Sequence, residues 1–200
     1  MGKDERQIYS IDGVIPVIHP SSFIDKSAVI IGDVVIGANC YIGPNASIRG
    51  DMARIEIADD SNIQDNCTIH CMTGIPTIIG RWGHIGHGAV VHSAQLADNV
   101  LVGMNAVVMN EAVLGENSVV AAMAFVKTGM LVAANTLVAG MPAREIRTLS
   151  AEEIQWKRNG TQCYTDLVER CQQSLKKVQP LTEIEAKRPH LTVDLLNKKI

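Results

Sequence analysis

The sequence predicts an all-β fold, a parallel β-helix in the form of a three-sided prism, followed by a C-terminal α-helical extension. Aliphatic residues recur every six positions, and glycine often follows them. Hydrophobic residues make up 46% of the chain but aromatic residues only 4%, so the predicted core is aliphatic. Neither the helix period nor strand alternation gives a spacing of six unless a tight corner recurs at that interval. A hexapeptide repeat does so, with one short strand on each of three faces per coil.

The six-residue repeat can be followed through most of the chain. Its aliphatic positions are Ile24, Ile30, Ile36, Ile42 and Ile48, then Ile57, Ile63 and Ile69, then Ile79, Ile85 and Val91, and, after a slip of one residue, Leu96, Val102, Val108, Leu114, Val120, Val126, Val132 and Val138. Because each coil pairs its backbone with the coils above and below, these residues should form one continuous core. Off-period residues near 52–55 and 71–76 are expected to be loops that leave the coil.

The repeat divides the chain into four segments. Residues 1–23 are predicted to form an N-terminal strand that caps the first coil, and residues 24–143 the β-helix itself. Residues 150–178 are predicted to be helical and residues 179–200 to be a loosely packed tail.

The helical segment has its own start signal. Ser150-Ala151-Glu152-Glu153 has the form of a capping box, in which a serine and a glutamate three residues later satisfy each other's backbone N–H groups. Apolar residues then follow at helical spacing, through Tyr164 and on to Leu175 and Val178. Asn159-Gly160 predicts a break within the helix.

Composition excludes several classes of function. The net charge is -3 and there is no basic tract, which argues against nucleic acid as a partner. No apolar run reaches about 18 residues and no leader is evident, so no membrane association is expected. Five cysteines without regular pairing fit a reducing, cytoplasmic location. Cys40, Cys67 and Cys71 are possible metal ligands, since Cys71 neighbours His70, although burial as small apolar groups is favoured.

Three histidines form a candidate metal site. On the predicted prism, Arg49, His70 and His92 each directly follow an inward residue of one face, so they should form a ladder with one residue per coil, about 4.8 Å apart. His87 and Asp65 follow the inward residue of the preceding face. A tetrahedral zinc site needs three nitrogens at about 2.0–2.1 Å from one ion, and iron or cobalt can bind the same donors. If all three histidines bind one metal, His87 must therefore come from a neighbouring molecule, as in a closed homotrimer.

Several segments resemble one known family. They are residues 43–51 (GPNASIRGD), 58–67 around Asn62-Ile63-Gln64-Asp65, 83–87 (GHIGH), 101–105 (LVGMN) and the tail around Trp156-Lys157-Arg158 and Tyr164. In these the chain is similar to the γ-class carbonic anhydrase-like proteins of the hexapeptide-repeat superfamily, and most of all to the phenylacetic-acid-degradation (PaaY) and carnitine-operon (CaiE) groups. The resemblance covers nearly the whole chain.

The resemblance implies a left-handed β-helix, a homotrimer and a metal at each subunit interface. His70 and His92 of one subunit and His87 of the next would be the ligands. It further implies roles for the residues around them: an interface ion pair for Arg49 and Asp51, a supporting position for Asn62, orientation of a metal-bound water for Gln64, a nearby carboxylate for Asp65, and a side chain that reaches the site for Tyr164. The chemistry of such a site leaves two roles open for Asp65, as a general base or as the acceptor that orients His87.

The first functional hypothesis is a metal-dependent acyl-CoA thioesterase of phenylacetate degradation, as the resemblance to PaaY implies. A metal held by three imidazoles lowers the pKa of a bound water to near 7 and so supplies a hydroxide that can attack a thioester. For the thioesterase, basic residues would meet the CoA phosphates. The candidates are Arg54, Arg81, Lys127, Arg144 and Arg147.

Three alternatives remain open. One is a γ-class carbonic anhydrase acting on CO2 or bicarbonate, although archetypal members carry glutamates where this chain has Met52 and the uncharged segment 71–74, and those glutamates transfer protons. Another is a hexapeptide acyltransferase that works without a metal. The third is a CaiE-like accessory protein of carnitine metabolism, which need not be an enzyme itself.

Overall fold

The computed structural model describes residues 6–191, which form a parallel β-solenoid of about seven turns followed by one helix. The architecture matches a left-handed β-helix of hexapeptide-repeat type, so the predicted fold class is confirmed. Residues 1–5 of the predicted N-terminal cap and residues 192–200 of the predicted tail lie outside the described residues.

The strands are short and follow the repeat. They are β1 (Gln7–Tyr9), β2 (Val17–Ile18), β3 (Phe23–Ile24), β4 (Val29–Ile36), β5 (Tyr41–Ile42), β6 (Ser47–Ile57), β7 (Asn62–Ile63), β8 (Thr68–His70), β9 (Thr77–Ile79), β10 (His84–Ile85), β11 (Val90–His92), β12 (Gln95–Leu96), β13 (Leu101–Val102), β14 (Val107–Val108), β15 (Val113–Leu114), β16 (Val119–Val120), β17 (Phe125–Val126), β18 (Leu131–Val132), β19 (Thr136–Gly140) and β20 (Ala143–Thr148).

The strands build three faces of a prism. β6, β8, β11, β14 and β17 lie in order on the first face, and β6, β9, β12, β15 and β18 on the second. The long strands β4 and β6 extend over both of these faces and pair with each other, so the two faces form one 12-stranded sheet. The third face is an 8-stranded sheet in the order β20, β19, β16, β13, β10, β7, β5, β3. Every pairing in it is parallel except that of β19 with β20, which closes the last coil.

The interior is the predicted aliphatic column. Ile30, Ile48, Ile63, Ile69 and Ile85 are all 0% exposed. The chain turns a corner about every six residues, and many of these corners need a residue with a positive φ, which few residue types adopt. Asparagine or aspartate occupies most of these positions here, because their short side chains tolerate the left-handed region. Corner residues with positive φ include Asn39, Asn45, Asp60, Asn66, Asn99, Asn105, Asn117 and Asn135.

Of the two predicted loops, only one leaves the coil. Residues 71–76 form a turn closed by a bridge between Met72 and Ile75. Residues 52–55 are instead part of strand β6, so the prediction of a loop there was wrong. Residues 51–54 have no partner in β4, since Gly50 pairs with Gly32 and Ile55 with Val34, and the extra residues form a bulge within the strand.

Helix α1 (Ala151–Ser174) packs on the third face against β3, β5 and β7. Its capping box is present: Ser150 accepts from the Glu153 N–H and the Glu153 carboxylate accepts from the Ser150 N–H. The predicted break at Gly160 does not occur, and the helix runs straight through it. The helix ends at Ser174, so Leu175 and Val178 are exposed rather than part of its apolar stripe. In the described part of the chain, no helix is both long and apolar enough to cross a membrane.

Candidate functional site

His70 and His92 lie side by side on the first face. They are paired in register on the adjacent strands β8 and β11. Their ring centroids are 5.1 Å apart, and His70 Nδ1 lies 3.1 Å from His92 Nε2. Adjacent parallel strands therefore bring two imidazole nitrogens together without help from any loop.

Outer acceptors fix which nitrogen of each ring carries the proton. His70 Nε2 lies 2.9 Å from Asp51 Oδ1, and His92 Nδ1 lies 2.6 Å from Asn110 Oδ1. Because neither oxygen can donate, both of these nitrogens carry N–H groups, and a lone pair for metal binding is available only on the facing nitrogens, His70 Nδ1 and His92 Nε2. Two lone pairs at 3.1 Å repel each other unless a cation or a shared proton lies between them.

This donor set fits a metal ion. Two nitrogens bound tetrahedrally at 2.0–2.1 Å lie about 3.3 Å apart, close to the separation of the two histidine nitrogens. The carboxylate and amide behind the rings are the kind of outer partners that orient metal-binding histidines. In contrast, the Cys71 side chain is fully buried, its Sγ lies 3.5 Å from Thr77 Oγ1, and burial raises the pKa of its thiol. Cys40 and Cys67 are also 0% exposed, and burial raises the pKa of each thiol to about 11, so the cysteine alternative has no support in the geometry.

Asp51 is held in place by two partners. It accepts from His70 and also forms an ion pair with Arg49 of the same chain. Burial acts to raise the pKa of Asp51, but the hydrogen bond from His70 and the charge of Arg49 outweigh it, so the pKa lies below its usual range. The carboxylate is thus ionised at neutral pH and available to orient His70.

His87 belongs to a different part of the site. It lies after β10, and its Nδ1 is 2.6 Å from Asp65 Oδ2, which leaves Nε2 as the lone-pair nitrogen. Tyr164 of α1 places its hydroxyl 3.5 Å from that nitrogen. Among the residues that the structure describes, no three His, Cys, Asp or Glu side chains of this one chain are grouped closely enough to hold a metal. His87 is therefore not joined to the His70–His92 pair within a single subunit.

The helix holds Tyr164 against the third face. Its ring packs on Tyr41 and, edge-on, on His84, with ring centroids 5.4 Å apart in both cases. Burial, together with the nearby charge of Asp65, raises the pKa of Tyr164 to about 12. The phenol is therefore protonated at neutral pH and can donate a hydrogen bond.

Gln64 is buried, with 2% of its surface exposed, and its amide is largely committed within the chain. Its Oε1 accepts from the His87 backbone N–H at 3.2 Å. Its Nε2 donates to Asn62 Oδ1 at 2.9 Å and to His84 Nε2 at 2.8 Å. Gln64 therefore holds the His87 backbone, and Asn62 holds the Gln64 amide in place. One lone pair of Gln64 Oε1 remains to accept a hydrogen bond from a water.

His84 connects that amide to helix α1. Its Nε2 accepts from Gln64, so its Nδ1 carries the proton and donates to Thr161 Oγ1 at 3.2 Å. The Thr161 hydroxyl in turn donates to the Lys157 carbonyl at 3.3 Å. Burial, with the nearby charge of Lys157, lowers the pKa of His84 to about 3, which keeps the ring neutral. We call the series Lys157, Thr161, His84, Gln64 and His87 the polar relay.

Sequence reasoning missed the partners that complete these contacts. Asn110 lies one coil, or 18 residues, after His92, and that interval was a usable signal. Lys157 and Thr161 lie on the buried side of α1, and no pattern in the sequence marks a lysine as buried. Lys157 Nζ donates to Trp82 O at 2.9 Å and Asn99 Oδ1 at 2.6 Å.

The basic residues predicted to meet CoA phosphates are scattered. Arg54 pairs with Asp33 at 3.1 Å, Arg81 with Asp60 at 3.6 Å and Arg147 with Glu153 at 2.6 Å. Lys127 lines a separate cavity near Met123 and Pro142, and Arg144 is exposed on β20. None of these five residues lines the cavity that His87 lines within one subunit.

Comparison with known proteins agrees with the fold. Residues 15–50 match the family model described as bacterial transferase hexapeptide (six repeats). The carnitine operon protein CaiE of Escherichia coli O157:H7 is 49% identical over 96% of this chain and 98% of its own length. A hexapeptide transferase family protein from Anaplasma phagocytophilum superposes with a TM-score of 0.79 at 36% identity, over 82% of this chain and 96% of that one. The product of the BC4754 gene of Bacillus cereus superposes with a TM-score of 0.80 at 32% identity, over 82% of this chain and 95% of that one. Because these relatives are 32–49% identical to the chain over most of their length, the chain belongs to the hexapeptide-repeat family.

Proposed function

We propose that this protein is a metal-dependent hydrolase of acyl-CoA thioesters that assembles as a homotrimer with its sites between subunits. The observation that carries the proposal is the pair of lone-pair nitrogens on His70 and His92, each oriented by an outer acceptor. A third oriented nitrogen, on His87, lies on another face, so that a neighbouring subunit has to supply it. Zinc suits three imidazoles and a water, and iron or cobalt could replace it.

The metal would supply a hydroxide at neutral pH by lowering the pKa of a bound water. Asp65 accepts a hydrogen bond from His87 Nδ1 and leaves Nε2 as the nitrogen that would hold the metal, so orientation of His87 is the role that this contact supports best. Tyr164, protonated and close to His87 Nε2, can donate to the thioester oxygen as negative charge develops there. The polar relay keeps the His87 backbone in place.

The first test is hydrolysis of phenylacetyl-, hydroxyphenylacetyl- and short aliphatic CoA esters before and after metal removal. We expect turnover that is lost on chelation, returns with zinc, and is absent from His87→Ala and His92→Ala. His19→Ala is the matched control, because His19 is exposed and its ring nitrogen Nδ1 contacts the local Ser21, away from His70, His87 and His92 in the sequence. Turnover that survives chelation would instead indicate acyl transfer or hydrolysis without a metal, and CO2 hydration measured in parallel identifies the anhydrase alternative.

Mixing the two inactive variants tests the shared site. In a closed trimer with one kind of interface, random 1:1 assembly of His87→Ala and His92→Ala subunits leaves about a quarter of the sites with all three histidines. Co-expression of the two variants should therefore restore about a quarter of the activity. No restoration, or a monomer by light scattering, would contradict a site made by two subunits.

A second candidate is an accessory role in carnitine metabolism, of the kind suggested by the name of the CaiE relatives. The 49% identity to CaiE over nearly the full length of both chains favours it. This reading predicts a bound metal and a stable trimer without thioester turnover, and an effect on the activity of a CoA-linked enzyme of that pathway when the two are mixed.

A further inference from the structure

A groove of about 450 Å³ runs beside helix α1 on the third face of the prism. A cavity of this size lies within the range of small-molecule sites, about 300–1,000 Å³. One end holds the polar groups of Gln64, His84, His87 and Tyr164. The rest of the lining is small or apolar and includes Leu101, Val119, Leu137 and Trp156.

Register explains the length and direction of the groove. On the third face, His84 pairs with Leu101, Leu101 with Val119, and Val119 with Leu137. These half-buried side chains stand in one outward column, one per coil. Three steps at the strand spacing of about 4.8 Å carry the column about 14 Å away from the His87 end. The indole of Trp156 borders the column and is 59% exposed.

The lining is uncharged along this column. Of the described residues that line the groove, none has a carboxylate, ammonium or guanidinium group. His84 is neutral because burial lowers its pKa to about 3. Apart from the indole N–H of Trp156, the hydrogen-bonding side chains of the lining are Gln64, His84, His87 and Tyr164 at one end, so a ligand that fills the groove should be polar at that end and largely apolar along the rest.

We propose that this groove binds the acyl part of the substrate, and that the substrate class is thioesters of neutral, apolar acyl chains longer than acetyl. The inference rests on the proposed hydrolase activity, since it places the thioester carbonyl at His87 and Tyr164 and the acyl chain against Leu101, Val119 and Leu137. An acyl group that ends in a trimethylammonium or a carboxylate finds no counter-charge there and loses its hydration on entry.

Chain length gives the first test. Each buried methylene contributes about 0.8 kcal/mol, equivalent to about a four-fold change. We expect kcat/KM to rise by about that factor per methylene from acetyl- through butyryl- and hexanoyl- to octanoyl-CoA. A similar ester whose acyl group ends in trimethylammonium should be at least ten-fold poorer than its neutral counterpart. A flat series, or a preference for the cationic ester, would overturn the assignment.

A groove-filling variant and its control localise the effect. Val119→Phe should reduce the ratio of kcat/KM for octanoyl-CoA to kcat/KM for acetyl-CoA at least ten-fold. Val113→Phe makes the same change at an outward position of β15 on another face, where Val113 is 39% exposed, and should leave the whole series unchanged. Equal effects of the two variants would overturn the inference. So would a Val119→Phe protein that changes its oligomeric state without losing chain-length preference, because the face would then be a subunit contact.

A binding measurement separates this inference from the proposed activity. Octanamide, a neutral probe, added to the metal-free protein should shift the tryptophan emission to shorter wavelength as the Trp156 indole is covered, and Val119→Phe should abolish the shift. The chain also contains Trp82, so the shift should persist in Trp82→Phe and be absent from Trp156→Phe. If octanamide binds in this way but no thioester is hydrolysed, the groove assignment stands and the proposed hydrolase fails. If thioesters are hydrolysed without length preference and octanamide gives no shift, the hydrolase stands and the groove assignment fails.

Discussion

The stability of the protein should depend on pH through Lys157, which is 2% exposed beneath helix α1. Its Nζ contacts two acceptors, Trp82 O and Asn99 Oδ1. A neutral amine has two N–H donors and satisfies both, whereas a third ammonium proton has no acceptor among the contacts that the structure shows. Burial, with the positive charge of Arg158 added to it, lowers the pKa of Lys157 from 10.5 to about 7.

The direction of the effect follows from proton binding. Between pH 7 and pH 10.5 the unfolded chain holds a proton on Lys157 that the folded chain has largely lost, so the free energy of unfolding rises with pH across this window. At 1.36 kcal/mol per pKa unit, the full difference is about 5 kcal/mol, of which about 2 kcal/mol falls between pH 7 and pH 9. The contribution of Lys157 is greatest above pH 10.5, declines as the pH falls, and is constant below about pH 7.

Urea unfolding of wild type and Lys157→Met at pH 7, 8 and 9 measures this contribution. Methionine keeps most of the apolar stem, so the variant should lose the pH-dependent part while leaving two acceptors unpaired at every pH. The wild-type free energy of unfolding should therefore rise by about 2 kcal/mol more than that of Lys157→Met between pH 7 and pH 9. Protein concentration is held constant, because the stability of an oligomer depends on it. Lys176→Met, at an exposed lysine beyond the helix, should behave like wild type, and parallel profiles for wild type and Lys157→Met would refute the reasoning.

Two further predictions concern the partners of the site residues. Asn110→Leu removes the acceptor behind His92 and should weaken metal affinity about 10–100-fold, measured by competition with a chelator, while the fold is retained; unchanged affinity would exclude Asn110 as an orienting partner. Thr161→Val keeps the shape of the side chain but leaves the Nδ1–H of His84 without its acceptor, which should cost about 1–3 kcal/mol in urea unfolding, and a variant as stable as wild type would remove Thr161 from the polar relay.

The course of the coils could be predicted from the sequence because every six-residue repeat has the same pattern, a short strand followed by a corner. An inward aliphatic residue every six positions fixes the face on which each neighbour lies. For that reason His70 and His92 could be placed side by side and His87 on another face. The same reasoning failed at residues 52–55, because strand pairing can absorb extra residues as an irregularity and no periodic signal distinguishes that outcome from a loop.

Non-local contacts of α1 could not be predicted from the sequence. Its start was evident in the capping box at Ser150, but whether it broke at Gly160 depended on the packing of its buried side against the third face. That packing also brought Thr161 to His84 and Tyr164 to His87, residues 77 positions apart in both cases.

The sequence by itself therefore determined the prism, the alternation of its faces and the candidate histidines, because a repeat converts position in the chain directly into position in space. The tertiary structure decided which imidazole nitrogens are free, that Gln64 is engaged with His84 and the His87 backbone, and that an uncharged groove extends from His87 along the third face. These features depend on side-chain contacts between coils and between α1 and the prism, and such contacts leave no period in the sequence.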